Sequence, residues 1–278
     1  MQLFAPAKIN LRFRVLRRRE DGFHEIETLM APISLRDELV IEPNDPGNGT
    51  VFSCDDPSLP GGEENLVLRA ARSFFAATKT EASVRIQLRK KIPHGAGLGG
   101  GSSDAASTLL GLNELHGSPL TRARLTSLAA AIGSDVPFFI GASAAVCSSR
   151  GEIVEPVGAL PKLPLLLLKP QFGVPTAWAY QSWCESRELP GIDYAPQSLG
   201  ELVLGNDLER PVFEKYVFLA RMKQWLRAQP EVAAALLSGS GSTLFAVLRD
   251  VATADDLAGR SRAELDPLLW TCACEIVS

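Results

Sequence analysis

The sequence offers little to a membrane, a metal ion or a polyanion. No apolar stretch approaches the roughly 18 residues of a spanning helix, and the opening MQLFAPAKIN lacks the charged-then-apolar layout of a secretory leader. The expectation is a soluble, cytoplasmic protein. The five cysteines, Cys54, Cys147, Cys184, Cys272 and Cys274, include no C-x-x-C pair and no histidine partner at metal-ligand spacing. A disulfide framework, a redox centre and a zinc site are therefore not indicated, and a reducing compartment fits best. Cys272 and Cys274 fall on one side of an apparent strand, where packing is the expected role. The 28 basic and 32 acidic residues are mixed along the chain, giving a net charge of -4. No broad cationic surface advertises nucleic acid or anionic lipid. Internal repeats and low-complexity segments are also missing.

What is present is a globular composition, with 46% hydrophobic and 22% charged residues in 278, enough for one large domain or two ordinary ones. KINLRFRVL alternates Ile9, Leu11, Phe13 and Val15 with Lys8, Asn10, Arg12 and Arg14, the period of a strand with one buried face. Lys8 and Asn10 share the other face. LVIE and VRIQL read as further strands, and NLVLRAARSFFAA as a helix capped by Asn65. TRARLTSLAAAIG reads as a helix from Thr121 to the stop signal Gly133, which leaves Asp135 just beyond its end. After about residue 152 the pattern restarts with LPLLLLKP, a short continuous apolar run suited to a strand buried on both faces. The helices TAWAYQSWCES and VFEKYVFLARMKQWLRA follow, then a small-residue loop, LLSGSGST, leading into an apolar strand. The helix TADDLAGRSRAEL and the strand WTCACEIV close the chain. The expected division is 1–152 and 153–278, both mixing strands and helices.

Gly95, Gly97, Gly99, Gly100 and Gly101 crowd the stretch PHGAGLGGGSSDAA between VRIQL and a helix in which Ala105, Leu109 and Leu112 recur at i, i+4 and i+7. Bare backbone at the start of a helix presents unpaired N–H groups and the positive end of the helix dipole, which suits a phosphate. Ser102 and Ser103 would add hydroxyl donors. The competing reading is a tight turn packed under a helix. No lysine follows the glycines, so the Walker pattern G-x-x-x-x-G-K-[ST] is missing. Gly95, Gly97 and Gly100 satisfy G-x-G-x-x-G, but SPLTRARL stands where a dinucleotide fold wants an acidic residue. Neither H-R-D nor D-F-G, the protein-kinase triplets, occurs.

Three separated motifs, PAKIN at 6–10, PHGAGLGGGSSDAA at 93–106 and LLSGSGSTLFAV at 236–247, resemble those of the GHMP kinase superfamily in order and rough spacing. The resemblance implies a two-lobed α+β fold, with an ATP-binding N-terminal lobe and a cleft closed by a C-terminal lobe. RREDGFHEIETLM, GSDVPFF and GNDLE further resemble the branch that phosphorylates the 2-hydroxyl of a cytidine diphospho sugar alcohol in isoprenoid precursor synthesis. Another small-alcohol kinase of homoserine or mevalonate type, or a non-catalytic ligand sensor on the same fold, stands as the alternative. The resemblance assigns Pro93, His94, Gly95, Ala96, Gly97, Leu98, Gly99, Gly100, Gly101, Ser102 and Ser103 to ATP, Asp135 to the catalytic base and Lys8 to its ionic partner. Asn10 is a candidate donor to the substrate diphosphate. Phe23 and Tyr180 are candidates to sandwich the cytosine, Phe23 standing where many relatives carry tyrosine. His24 matches a cytosine-binding histidine, or caps a hairpin. Asp207 is either a polar anchor or a helix cap. Magnesium is expected with ATP, although no carboxylate pair suggests its ligands and no residue is assigned to a metal.

Overall fold

The computed structural model describes residues 1–141 and 143–277. In chain order the strands of the first half are β1 (Gln2–Arg18), β2 (His24–Pro43), β3 (Thr50–Cys54), β4 (Val84–Arg89), β5 (Ala145–Ser149) and β6 (Ile153–Pro156). Its helices are α1 (Leu66–Thr78), α2 (Gly100–Leu115), α3 (Arg122–Ile132) and α4 (Val136–Gly141). The remainder contributes β7 (Pro164–Lys169), α5 (Thr176–Ser182), β8 (Gln197–Leu199), β9 (Leu202–Asn206), α6 (Glu209–Lys215), α7 (Val217–Arg227), β10 (Val232–Leu237), β11 (Leu244–Leu248), α8 (Ala254–Glu264) and β12 (Trp270–Glu275).

β1 and β2 form one long antiparallel hairpin at the centre of a sheet ordered β3-β4-β2-β1-β9-β8, with β5 added to β2 and β6 to β5. Helices α1 to α4 cover one face, where Phe74, Leu109, Leu112 and Phe138 are fully buried. The second sheet, β10-β11-β7-β12, is antiparallel throughout. On its outer face Phe213, Leu219, Leu226 and Leu257 of the later helices pack against Leu166 and Leu168. Its inner face meets the first sheet through Leu165, Leu167, Leu236 and Phe245 against Ile9, Leu11 and Ile33. This explains the run LPLLLLKP: alternate leucines of β7 enter two different cores, each burial being worth about 1.5–3 kcal/mol.

The chain is the α+β, two-lobed arrangement expected, but the lobes share strands. The division expected at 152/153 falls inside the β5–β6 hairpin, which pairs from Ala145 to Pro156. The later hairpin β8–β9 crosses back to the first sheet, where β9 lies parallel to β1 with Arg12 opposite Gly205 and Phe13 opposite Asn206. The continuous helix expected over VFEKYVFLARMKQWLRA breaks at Tyr216, whose backbone (φ -105°, ψ 67°) leaves the helical region. Its ring is taken by an aromatic cluster, stacked on Phe172 at 5.5 Å and edge-on to Trp178 at 5.6 Å. Such ring pairs contribute about 0.5–1.5 kcal/mol beyond the area they bury, enough to offset a local break. The caps are those expected: Asn65 Oδ1 accepts from Val67 N at 2.9 Å, and Thr121 Oγ1 accepts from Arg124 N at 3.3 Å. Among the described residues, no helix is long and apolar enough to cross a membrane.

Candidate active site

The glycine loop is seated by an interruption in the central hairpin. Pro6 and Pro32 carry no N–H, and between Pro6 opposite Arg36 and Lys8 opposite Pro32 the β1–β2 register shifts. Lys8 N is thereby left to the loop, donating to Leu98 O at 2.9 Å. Gly97 and Gly99 have φ of +75° and +71°, which a side chain would strain. They also sit in contact with their surroundings: a Cβ on Gly99 would lie 2.9 Å from the Phe139 ring and 3.0 Å from Lys8 Cγ. Gly99 hands the chain to α2, whose first N–H groups have no carbonyl one turn behind them.

The loop walls a cavity of about 370 Å³ that also takes in Lys8, Asn10, Thr28, Asp135, Tyr180 and Gly239. Lys8 is almost completely buried, so its ammonium requires acceptors. It has Asn10 Oδ1 at 2.7 Å, Gly97 O at 3.0 Å and the Asp135 carboxylate at 3.7 Å. Asp135, placed between α3 and α4, is the exposed member of the pair, with 40% of its side chain open to the cleft. This is a fixed cation beside a carboxylate free to meet a proton. Asn10 is buried too: its Oδ1 takes Lys8 and its Nδ2 donates to Thr28 Oγ1 at 2.8 Å. Its amide therefore orients the lysine, and the expected role as donor to a diphosphate would use only its remaining N–H.

Sequence reasoning missed a second charged cluster at the other end of the loop. Lys90 Nζ bonds both Asp37 and, at 2.7 Å, Asp104 Oδ2, while Asp37 Oδ1 accepts from Lys91 N at 2.5 Å and Ile92 N at 2.9 Å. One carboxylate thus fixes the backbone where β4 enters the loop. Burial pushes the Asp104 carboxyl up to about 7 against the pull of Lys90. Burial alone would lower Lys90, but Asp104 and Asp37 carry it above its usual value. Three isolated charged residues, far apart in the chain, give no signal of such a meeting.

Of the residues expected to hold ATP, Pro93 to Ser102 line the cavity. Ser103 does not. It is fully buried and among the described residues its Oγ has no partner; one helical step past Ser102 turns it away from the cavity. Tyr180 lines the cavity, and His24 stacks on it with ring centroids 5.4 Å apart and planes at 23°. Trp183, not anticipated, stands edge-on to His24 at 6.4 Å. Phe23 does not line the cavity: it is 52% exposed at the hairpin turn, with the Arg150 guanidinium 5.0 Å over its ring. Asp207 proves an anchor, accepting from Val15 N at 2.9 Å and tying β9 to β1. Among the described residues, no group of three or more His, Cys, Asp or Glu could hold a metal.

Burial, reinforced by Arg18, holds the His24 imidazole below its ordinary value of 6.5. The unfolded chain therefore binds this proton at a higher pH than the folded one, so stability is lost as pH falls through and below about 6.5. His24→Gln should show a smaller loss of Tm than the wild type between about pH 7.5 and 5.5, read by thermal unfolding. Parallel curves for the two proteins would remove His24 from this account.

Residues 65–143 match the family model described as GHMP kinases N terminal domain. Over 99% of the chain and 96% of the relative's length, the protein is 41% identical to a 4-diphosphocytidyl-2-C-methyl-D-erythritol kinase of Methylacidiphilum infernorum. It is 41% identical, over 88% of both lengths, to the protein of that name from Geobacter metallireducens. A crystal structure of 4-(cytidine 5'-diphospho)-2C-methyl-D-erythritol kinase matches over 100% of both chains, with TM-score 0.80 and 37% identity. L. major mevalonate kinase in complex with R-mevalonate matches with TM-score 0.68 at 14% identity, over 99% of this chain and 95% of that one. That likeness extends to the fold alone.

Proposed function

We propose, for a chain that belongs to the 4-diphosphocytidyl-2-C-methyl-D-erythritol kinase family of the GHMP kinases, that it moves the γ-phosphoryl group of ATP onto the 2-hydroxyl of 4-(cytidine 5'-diphospho)-2-C-methyl-D-erythritol. The observation that carries this reading is the pairing of buried Lys8 with open Asp135, 3.7 Å apart, at the rim of a glycine loop that starts a helix. Phosphoryl transfer asks for an aligned hydroxyl, an acceptor for its proton, and donors around the transferring group. Asp135 is the proposed proton acceptor. Lys8 pairs with it and places positive charge beside the γ-phosphate, and the N–H groups of Gly100, Gly101 and Ser102 face the phosphates. Magnesium, expected with ATP, would supply charge neutralisation of the nucleotide's phosphates. This chain would share in holding it through the hydroxyl of Ser102, which lines the cavity.

The cytosine is assigned to the side of the cleft where Tyr180 and His24 stack, with Phe23, the neighbour of His24, as an aromatic at its rim. Neutral imidazole, which the lowered pKa of His24 favours, retains one N–H and one acceptor for a Watson–Crick edge. An ATP-consumption assay should show turnover on the cytidine diphospho substrate. On a methylerythritol phosphate lacking cytidine, kcat/KM should fall by about 10-fold or more, since base stacking alone is worth about 1–3 kcal/mol. Equal rates on both would remove the cytosine site, and turnover confined to homoserine or mevalonate would replace the substrate.

A further inference from the structure

Asn206 ends β9 and is buried, yet it stands behind the cleft wall and not on it. Its carboxamide is engaged on both sides. Nδ2 donates to Leu237 O at 2.8 Å and to Gly239 O at 2.7 Å, and Oδ1 accepts from Leu208 N at 2.9 Å. The two carbonyls flank Ser238 at the point where β10 turns into the small-residue loop. That loop is where the second lobe touches the proposed chemistry. Ser238 Oγ donates to Gly97 O at 3.0 Å, the same carbonyl that receives Lys8 Nζ, and Thr243 N donates to Ala96 O at 3.2 Å. At Gly239 the approach is so close that a Cβ would lie 3.2 Å from Asn10 Oδ1 and 3.4 Å from Lys8 Nζ.

Asn206 is itself fixed to the strand that carries Lys8. It sits opposite Phe13 in the β9–β1 pairing, and its neighbour Asp207 bonds Phe13 O through its N–H and Val15 N through its carboxylate. A donor anchored on β1 therefore sets where the loop of the other lobe lies relative to residues of β1. We infer that Asn206 is a positioning residue for phosphoryl transfer, its amide N–H groups holding the Leu237 and Gly239 carbonyls so that the loop stays pressed on Lys8 and Asn10. Without that amide the Gly239 carbonyl is free to turn toward the cleft. There it would compete with Asp135 for the Lys8 ammonium and oppose an incoming phosphate.

The inference rests on the kinase reading, and the test separates the two. Asn206→Asp keeps the acceptor that serves Leu208 N, loses both donors, and sets a carboxylate oxygen against two carbonyls. Asn206→Ala loses donors and acceptor together. If Asn206 positions the loop, Asn206→Asp should lower kcat by about 10- to 100-fold, at least as much as Asn206→Ala, with the KM for ATP within a few-fold of wild type. Amide hydrogen exchange over residues 238–242 should accelerate in both variants. Two results would overturn the inference: near-wild-type kcat in Asn206→Asp beside a damaged Asn206→Ala, which would make the residue a start signal for α6, or a kcat loss matched by a loss of ATP-binding stoichiometry in calorimetry, which would make it a folding residue. A wild-type enzyme silent on the cytidine diphospho substrate would instead fault the substrate assignment. The exchange measurement would still decide whether Asn206 holds the loop.

Discussion

Asp135→Asn is expected to lower kcat by about 100-fold or more while leaving the dissociation constant for ATP within a few-fold of wild type. Asparagine keeps the size of the side chain and can still accept from a hydroxyl, so the acceptor alcohol is held nearly as before. What it cannot do is keep the proton that leaves that alcohol as the new phosphate ester forms. Nucleotide contacts should be spared because the Asp135 carboxylate is joined to the glycine loop through Lys8, which pairs with it and bonds Gly97 O. Pre-steady-state mixing would separate chemistry from product release, and calorimetry would give the ATP affinity. A variant within a few-fold of wild type in the chemical step would take proton transfer away from Asp135.

Gly97→Ala should be nearly as damaging for a different reason. The added Cβ would lie 2.2 Å from Ser238 O and 2.9 Å from Gly241 O, both main-chain atoms, on a residue whose φ is +75°. Neither neighbour can retreat without breaking the hydrogen bonds that seat the 238–242 loop, so the glycine loop must give way instead. A displacement on the order of 1 Å in a positioning element can cost about 100-fold in rate, and kcat/KM for ATP is expected to fall by at least that. Gly95→Ala is the matched control. Its φ is +63°, but a Cβ there would meet nothing within 4 Å, so only the left-handed backbone penalty of about 1–2 kcal/mol applies. Similar kinetics and Tm for the two variants would mean that the contact between the loops is unimportant.

The contrast between these glycines marks how far the sequence can be read. Density of glycine before a helix points to the loop that walls the cavity, and alternation places Lys8 and Asn10 on one face of a strand. Local chemistry also suffices for the caps Asn65 and Thr121 and for β7, because each is decided within a few residues. Which glycine is crowded depends on Ser238, 141 positions from Gly97, and no local pattern carries that. Ser103 escapes a local reading for a related reason: adjacent hydroxyls look equivalent in sequence, but on a helix they point about 100° apart. Phe23 and His24 follow a turn whose strands are legible, yet which ring packs inward is decided by Tyr180, on which His24 stacks, and Arg150 covers the other. Asn206 gives no signal because its partners are main-chain groups, two carbonyls and one N–H, which nearly every residue has.

The β8–β9 hairpin carries one more consequence. Because a piece of the later chain completes the sheet of the earlier one, the two lobes cannot be traded as modules between related enzymes. A graft ending near residue 157 whose later half brings no matching β8–β9 would leave the β1 edge unpaired beside Phe13, and would strip cover from Ala7, Ile9 and Leu11. Recombination among relatives is therefore constrained to exchange β8–β9 together with β1. The segment that completes the sheet and the strand that bears Lys8 form one heritable unit, although nearly 200 residues separate them in the chain.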